Sequence, residues 1–164
     1  MDYFFNFEKL TYLTEEKPQG CILCNVRDSS PIVTDLSVYR NEFFIVSLNL
    51  YPYNPGHLLV FPVRHIEDIR QYTEEEELSQ TKLLRLTIDV LDTLYKPSAY
   101  NIGYNMGLNA GASISHIHLH VIPRYPRELG IADLIAGKRV LVEDPLVSRE
   151  RLKTEFALKA AQSS

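Results

Sequence analysis

From residue 32 to residue 63 the apolar side chains fall into short runs broken by Asn, Pro and Gly. Phe43-Phe-Ile-Val and His57-Leu-Leu-Val-Phe are rich in β-formers, so the pattern predicts strands at about 32–39, 42–49 and 57–63. Between the last two, Tyr51-Pro-Tyr-Asn-Pro-Gly56 is too proline-rich for anything except a shaped connection. The period then changes. Thr73-Glu-Glu-Glu76 reads as a capping box opening a helix to about Tyr95, with Leu84, Ile88, Leu91 and Tyr95 on one face. Its acidic first turn reads as complement to the helix dipole and solvated surface. Pro97 stops that helix, strands follow at about 99–105 and 116–122, and a charged helix begins near Pro145 and runs to about 162. Residues 1–30 read as irregular, with a short helix around Phe5 to Leu13. Strands, a helix, then strands again, mostly with hairpin-length connections, predict an α+β domain with an antiparallel sheet, one long helix and a C-terminal helix.

Composition narrows the possible partners. A chain of 164 residues with 45% hydrophobic content can bury a core without staples, and it reads as one domain over 1–164. A net charge of -4 with no basic tract argues against nucleic-acid binding, so an anionic ligand must be held by a local arrangement of amides, imidazoles and a few cations. No apolar run approaches the roughly 18 residues of a membrane span, and Met1-Asp2-Tyr3 lacks the basic start of a signal peptide. The expectation is a cytoplasmic protein with no membrane partner.

The chemistry gathers in His116-Ile117-His118-Leu119-His120-Val121-Ile122-Pro123-Arg124, which holds three of the five histidines at a spacing of two. In a strand that period places the three imidazoles on one face, with Ile117, Leu119 and Val121 filling the core on the other. A row of neutral, ionisable nitrogens suits nucleophilic chemistry or metal binding. A half-buried strand that happens to be histidine-rich would explain one such residue but poorly explains three in register beside a glycine-rich loop.

Two stretches carry a resemblance. Gly103-Tyr-Asn105-Met-Gly107-Leu-Asn-Ala110-Gly111-Ala-Ser113-Ile-Ser-His116 through Arg124 resembles the signature of the histidine triad family, and Asn49 through Ile66 resembles the strand-turn-strand that pairs with it. Tyr-Pro-Tyr-Asn-Pro-Gly-His together with Ala-Gly-Ala-Ser is most similar to the branch of fragile-histidine-triad-like diadenosine tetraphosphate phosphorylases and hydrolases. The resemblance covers about 21–139, leaving an N-terminal arm over 1–20 and the helix over about 145–162. It implies the same fold, as a two-fold homodimer, and an enzyme that passes a nucleotidyl group through a covalent nucleotidyl-histidine.

The residue types support that chemistry. A phosphoanhydride resists anionic nucleophiles, whereas a neutral imidazole carries no charge to be repelled. His118, central in the row, is the nucleophile the resemblance implies, and His120 on the same face would bind phosphate oxygens. By similarity to the family, His57 helps orient them; a histidine at the end of a turn that caps backbone is the alternative reading. Gly103, Gly107 and Gly111 let the backbone approach phosphate, and Asn105 and Ser113 add side-chain donors. Hydrolases of the related type commonly carry glutamine before Ser113, where this chain has Ala112. That departure leaves room for inorganic phosphate beside Ser113 and favours phosphorolysis over hydrolysis. The phosphorylase-like branch, for its part, often has glycine there and tryptophan after the arginine, where this chain has Ala112 and Tyr125. Asn49, eight residues before His57, has the spacing of a ribose-contacting asparagine in relatives. Phe43, Phe44, Tyr51 or Tyr53 could wall a purine slot, and Lys138 and Arg139 could approach the polyphosphate; core packing and plain surface are the simpler readings.

Cys21-Ile-Leu-Cys24 is a zinc half-site, a redox pair or a coincidence, and the absence of a following βαβ unit disfavours the redox reading. Similarity to zinc-bearing bacterial triad proteins implies that His65 and His116 complete a closed, structural Cys2His2 site tying the N-terminal arm to the sheet. The leading expectation is therefore transfer from a dinucleoside polyphosphate, such as diadenosine tetraphosphate, to phosphate or water, with no organic cofactor. The alternatives are a nucleoside phosphoramidate hydrolase, disfavoured by Tyr-Pro-Tyr-Asn-Pro-Gly-His, and a hexose-phosphate uridylyltransferase, disfavoured by His120. A non-catalytic nucleotide-binding interaction protein is the alternative of another class.

Overall fold

The computed structural model describes residues 19–126 and 143–162. Residues 21–27 are not irregular as the sequence suggested: Ile22–Arg27 form a short helix, α1, with Cys21 at its N-cap. Arg27 at its end donates to the Val63 carbonyl at 3.0 Å and pairs with Asp28. Leu23 and Val26 are buried against Ile45 and Phe61, which explains why six residues hold a helix that propensity alone would not. The short helix expected around Phe5 to Leu13 lies outside the described residues, as do Lys138 and Arg139.

Five antiparallel strands follow: β1 Ser37–Arg40, β2 Phe44–Leu48, β3 Leu58–Pro62, β4 Ala99–Tyr104 and β5 Leu119–Arg124, arranged β1-β2-β3-β5-β4. The first is shorter than the predicted 32–39, because Val33 N–H turns back to the Ser30 carbonyl and the ladder starts only where Asp35 accepts from Ser37 N–H. β5 also starts later than predicted, so His116 and His118 precede the paired strand and only His120 lies within it. β2 and β3 are buried at every position. Phe44, Val46, Leu48, Leu58 and Val60 face the larger core, while Ile45 and Phe61 face α1 on the other side.

That larger core is closed by helix α2, Glu74–Tyr95, and helix α3, Pro145–Gln162. The capping box forms as predicted, with Thr73 and Glu76 exchanging side-chain and backbone hydrogen bonds. The buried stripe of α2, however, runs through Leu83, Thr87, Val90 and Leu91, rotated from the predicted Leu84–Ile88 line. Thr87 can be buried because its hydroxyl donates to the Leu83 carbonyl at 2.8 Å. Glu76 is not solvated either: it is 3% exposed and takes two hydrogen bonds from Arg64, at 2.7 and 2.8 Å, which offset the several kcal/mol that burial of an unpaired carboxylate costs. Lys96, at φ 48°, ends the helix in the left-handed region ahead of Pro97. On α3, Leu152 and Phe156 are fully buried, and Phe156 stacks on Tyr39 with ring centroids 5.3 Å apart.

The turn before β3 is shaped around Gly56. Its φ is +76°, and a Cβ there would stand 3.2 Å from Leu91 and Tyr95 side-chain atoms and 3.3 Å from Pro123, so both the backbone and the space call for glycine. Asn54, 4% exposed, donates to the Pro123 carbonyl at 2.6 Å and locks this turn onto β5. His57 is thereby delivered to the position just before β3, beside His120 of β5. Among the described residues no helix is long and apolar enough to cross a membrane.

Candidate functional site

Three imidazoles meet where β3 and β5 pair. Leu59 lies opposite His120 in the ladder. His57 Nε2 is 3.0 Å from His120 Nδ1, and the His118 and His120 ring centroids are 4.8 Å apart. His57 is fully buried and His118 is 4% exposed. Burial pulls the basicity of all three down, His57 to about 3 and His120 to about 4, so each is a neutral imidazole with one donor and one acceptor nitrogen.

Hydrogen-bond logic then assigns the protons. His118 Nδ1–H donates to the His116 carbonyl at 2.8 Å, which leaves the lone pair on Nε2. Tyr53 backbone N–H donates to His57 Nδ1 at 3.1 Å, so the His57 proton sits on Nε2 and is given to His120 Nδ1. His120 consequently carries its proton on Nε2, an atom that is buried and has no hydrogen-bond partner among the described residues. A buried donor left unmatched costs roughly 1–3 kcal/mol, a cost that a ligand oxygen would remove. The site thus offers a nucleophilic nitrogen on His118 and, on the adjacent ring, a donor awaiting an acceptor.

The surroundings sort the other candidates. Asn49 Nδ2 lies 3.3 and 3.4 Å from the two His57 ring nitrogens, straddling that ring, while its Oδ1 accepts from Tyr51 N–H. Tyr53 stacks on His57 with centroids 5.3 Å apart and rings 16° from parallel, and its other surface is open, with 57% of the residue exposed. Phe44 is completely buried against Tyr72 and belongs to the core, which removes it from any purine slot; Phe43 packs partly buried against the same core. Gly103 pairs with His120 across β4 and β5. Beyond it, Asn105 is half-buried, Gly107 and Gly111 take positive φ, Ala112 is buried, and Ser113 is exposed on the loop leading to His116. The Tyr53 amide could not have been found by reading residue types, because it acts through its backbone.

His116 turns away from this group, so the three histidines do not form the single row that the spacing suggested. Its Nε2–H donates to the Pro62 carbonyl at 2.9 Å, leaving Nδ1 as the acceptor, 3.6 Å from both Cys21 Sγ and Cys24 Sγ. His65 Nδ1 is 3.3 Å from Cys24 Sγ, while its Nε2 lies 3.4 Å from Glu67 Oε1. The ligating atoms of Cys21, Cys24, His65 and His116 all lie within 4.8 Å of one another. A tetrahedral zinc with bonds near 2.3 Å to sulfur and 2.0–2.1 Å to nitrogen needs sulfur–nitrogen edges of roughly 3.6 Å; two of the observed separations are 3.6 Å and the third, 3.3 Å, is slightly shorter. The donor chemistry also fits. Both imidazoles present a lone pair inward with the far nitrogen fixed by an acceptor, and burial and the neighbouring Cys21 push the Cys24 thiol up to about 11, a crowding that a cation would relieve. α1 makes this possible, since its N-cap and third residue project both sulfurs from one face.

Comparison with known proteins agrees with this architecture. The family model described as HIT domain matches residues 31–127. A Mycobacterium tuberculosis protein named AP-4-A phosphorylase is 35% identical over 123 residues, 74% of this chain and 63% of its own length. A Schizosaccharomyces pombe protein named bis(5'-nucleosyl)-tetraphosphatase [asymmetrical] is 33% identical over 110 residues, 67% of this chain and 60% of its own. The chain therefore spans less than two thirds of the length of either curated relative. In fold it is similar to the crystal structure of a zinc-bound histidine triad family protein from Mycobacterium smegmatis, with a TM-score of 0.71, 23% identity, and coverage of 87% of this chain and 97% of that one.

Proposed function

We propose that this chain, which belongs to the HIT domain family, transfers a nucleotidyl group from a dinucleoside polyphosphate to inorganic phosphate through a covalent intermediate on His118. The observation that carries the reading is the placing of the His118 ring, whose lone pair is on Nε2, 4.8 Å from the His120 ring, whose Nε2–H is orphaned. His118 Nε2 attacks the α-phosphorus, forming a P–N bond as the P–O bond to the departing nucleoside polyphosphate breaks. His120 Nε2–H donates to a phosphate oxygen as charge builds there, with its proton held in place by His57 and the Tyr53 amide. In the second step an oxygen of phosphate attacks phosphorus, the P–N bond breaks, and His118 returns to its neutral form. The phosphorylase and tetraphosphatase names of the relatives support a dinucleoside polyphosphate as the donor.

The acceptor is assigned to phosphate on Ala112-Ser113, a short side chain followed by an exposed hydroxyl. A nucleotidyl-imidazole is electrophilic toward any oriented oxygen, so occupancy decides between phosphate and water. With diadenosine tetraphosphate and millimolar phosphate the expected products are ADP and ATP, and Ser113→Ala should raise the requirement for phosphate more than that for the nucleotide. AMP and ATP at a rate indifferent to phosphate would make the protein a hydrolase.

Cys21, Cys24, His65 and His116 would hold zinc as a closed structural centre, which supplies cross-linking of α1 to the sheet rather than chemistry at phosphorus. A homodimer is proposed as well: β4 is the outer strand next to β5, and Ile102, Met106 and Leu108 on and after it are exposed. Light scattering should give twice the 18.9 kDa chain mass, and a mass of one chain at micromolar concentration would rule the dimer out.

A further inference from the structure

Two neutral imidazoles in hydrogen-bond contact share one proton, and the ring that owns it decides what the pair shows to a ligand. With the proton on His57 Nε2, given to His120 Nδ1 at 3.0 Å, His120 keeps a donor at its own Nε2. With the proton on His120 Nδ1 instead, His120 would present a lone pair at Nε2, which an anionic phosphate oxygen repels. That second arrangement also puts a proton on His57 Nδ1, facing the Tyr53 N–H 3.1 Å away, donor against donor. The Tyr53 amide therefore selects the first arrangement, and whatever holds that amide in place bears on the chemistry.

Tyr53 leads into a tight turn whose residues are tied to the chain that carries His120. His57 N–H donates to the Asn54 carbonyl at 3.1 Å and closes the turn, with Pro55 and Gly56 at its two central positions. Proline ahead of a glycine at φ +76° is the pattern of a type II turn. Asn54 is buried and donates from Nδ2 to the Pro123 carbonyl at 2.6 Å; because the partner is a carbonyl, the amide faces it with its nitrogen. The Tyr125 hydroxyl donates to the Pro55 carbonyl at 2.9 Å. Gly56 itself closes on Pro123, where a Cβ would stand 3.3 Å from the ring. Pro123 and Tyr125 follow His120 closely in sequence, so one short stretch of chain holds both the turn and the imidazole.

We infer that Asn54 is a positioning residue, a role that rests on the transfer chemistry proposed above. By fixing the turn to β5 it holds the Tyr53 amide against His57 Nδ1, and so keeps a donor on His120 Nε2 for a phosphate oxygen. The Tyr125 hydroxyl is the second fastening of the same turn. A buried polar side chain needs a partner, and a merely structural Asn54 would meet that need at Pro123 and go no further. Here the residue before it supplies the backbone group that sets the His57 tautomer. The Tyr53 ring adds to the hold by stacking on His57, with centroids 5.3 Å apart.

The test uses the full chain with Asn54→Ala and Tyr125→Phe. Long-range proton–nitrogen NMR spectra of protein with isotope-labelled histidines report which ring nitrogen carries the proton. In wild type both His57 and His120 should be protonated on Nε2. In Asn54→Ala the form with the proton on Nδ1 of both rings should become the major one. Turnover of diadenosine tetraphosphate draws on the competent form alone, so kcat/KM should fall about tenfold. Tyr125→Phe, which loses only a hydroxyl, should bring the two forms to comparable amounts and lower kcat/KM about twofold. Wild-type tautomers in Asn54→Ala would overturn the inference even if the melting temperature falls, because lost stability is all that a merely structural asparagine would cost. Should Asn54→Ala not fold, wild-type tautomers in Tyr125→Phe would overturn it in the same way, as would displaced tautomers with kcat/KM at the wild-type value. If wild-type protein does not turn over dinucleoside polyphosphates, the functional reading fails, and the tautomers still decide whether Asn54 governs the proton between His57 and His120.

Discussion

Replacing His118 with alanine or asparagine is expected to reduce turnover by roughly 10⁴-fold or more, the scale seen when a covalent nucleophile is removed. Alanine deletes the ring, and asparagine returns a polar group of similar reach whose amide nitrogen has no available lone pair. Either way the His118 Nε2 is gone, while the donor on His120, the His57 link and the glycine-rich loop stay in place. Binding of AMP should therefore survive within a few-fold, and the loss should appear in kcat. Rapid quenching of wild-type protein with labelled diadenosine tetraphosphate should trap an acid-labile, base-stable adduct that His118→Asn does not form. Turnover within tenfold of wild type in either variant would remove His118 from the chemistry.

The second large effect concerns the metal. Purified protein should contain about one zinc per chain, and Cys24→Ser should lose it. In zinc-finger peptides metal binding supplies about 10–16 kcal/mol of apparent folding energy; here a packed sheet carries most of the fold, so a smaller share depends on the ion. A loss of about 3–5 kcal/mol in a chain of this size lowers Tm by roughly 10–15 °C. The variant should melt in that range below wild type, with α1 loosened first because Leu23 and Val26 are its main remaining hold on Ile45 and Phe61. Elemental analysis without zinc after expression in zinc-supplemented medium, or an unchanged Tm in Cys24→Ser, would count against the centre.

Much of this fold was legible because its determinants are local. The proline-rich turn, the Thr73–Glu76 capping box and the stop at Pro97 each act within a few residues, and the elements they bound lie close to where the pattern puts them. α1 was not legible. Its six residues have neither the length nor a cap to announce a helix, and they hold that form through contacts with β2, β3 and the cysteine cluster. The stripe of α2 was misplaced for a related reason: Thr87 and Glu76 are polar in the sequence but satisfied in the interior, one by a carbonyl a turn earlier and the other by Arg64. At the site, periodicity brings His118 and His120 together but cannot say that His116 turns to the cysteines, because that depends on the Pro62 carbonyl reaching its Nε2 from another strand. The proton assignment was out of reach altogether, since the Tyr53 amide and the His116 carbonyl are backbone groups whose positions only the fold supplies.

The place of β5 between β3 and β4 has a consequence for how the protein comes into being. β4 and β5 are neighbours in the chain and pair over six residues, whereas β5 meets β3 across a separation of about sixty residues, with His57 and His120 63 apart. Closing so long a loop costs chain entropy before any contact repays it, so the local hairpin precedes the long-range seam on the folding route. His57 and His120 are brought together along that seam. A newly made chain therefore carries the parts of the candidate site well before it carries the site, and the capacity for the proposed reaction would arrive together with the completed sheet.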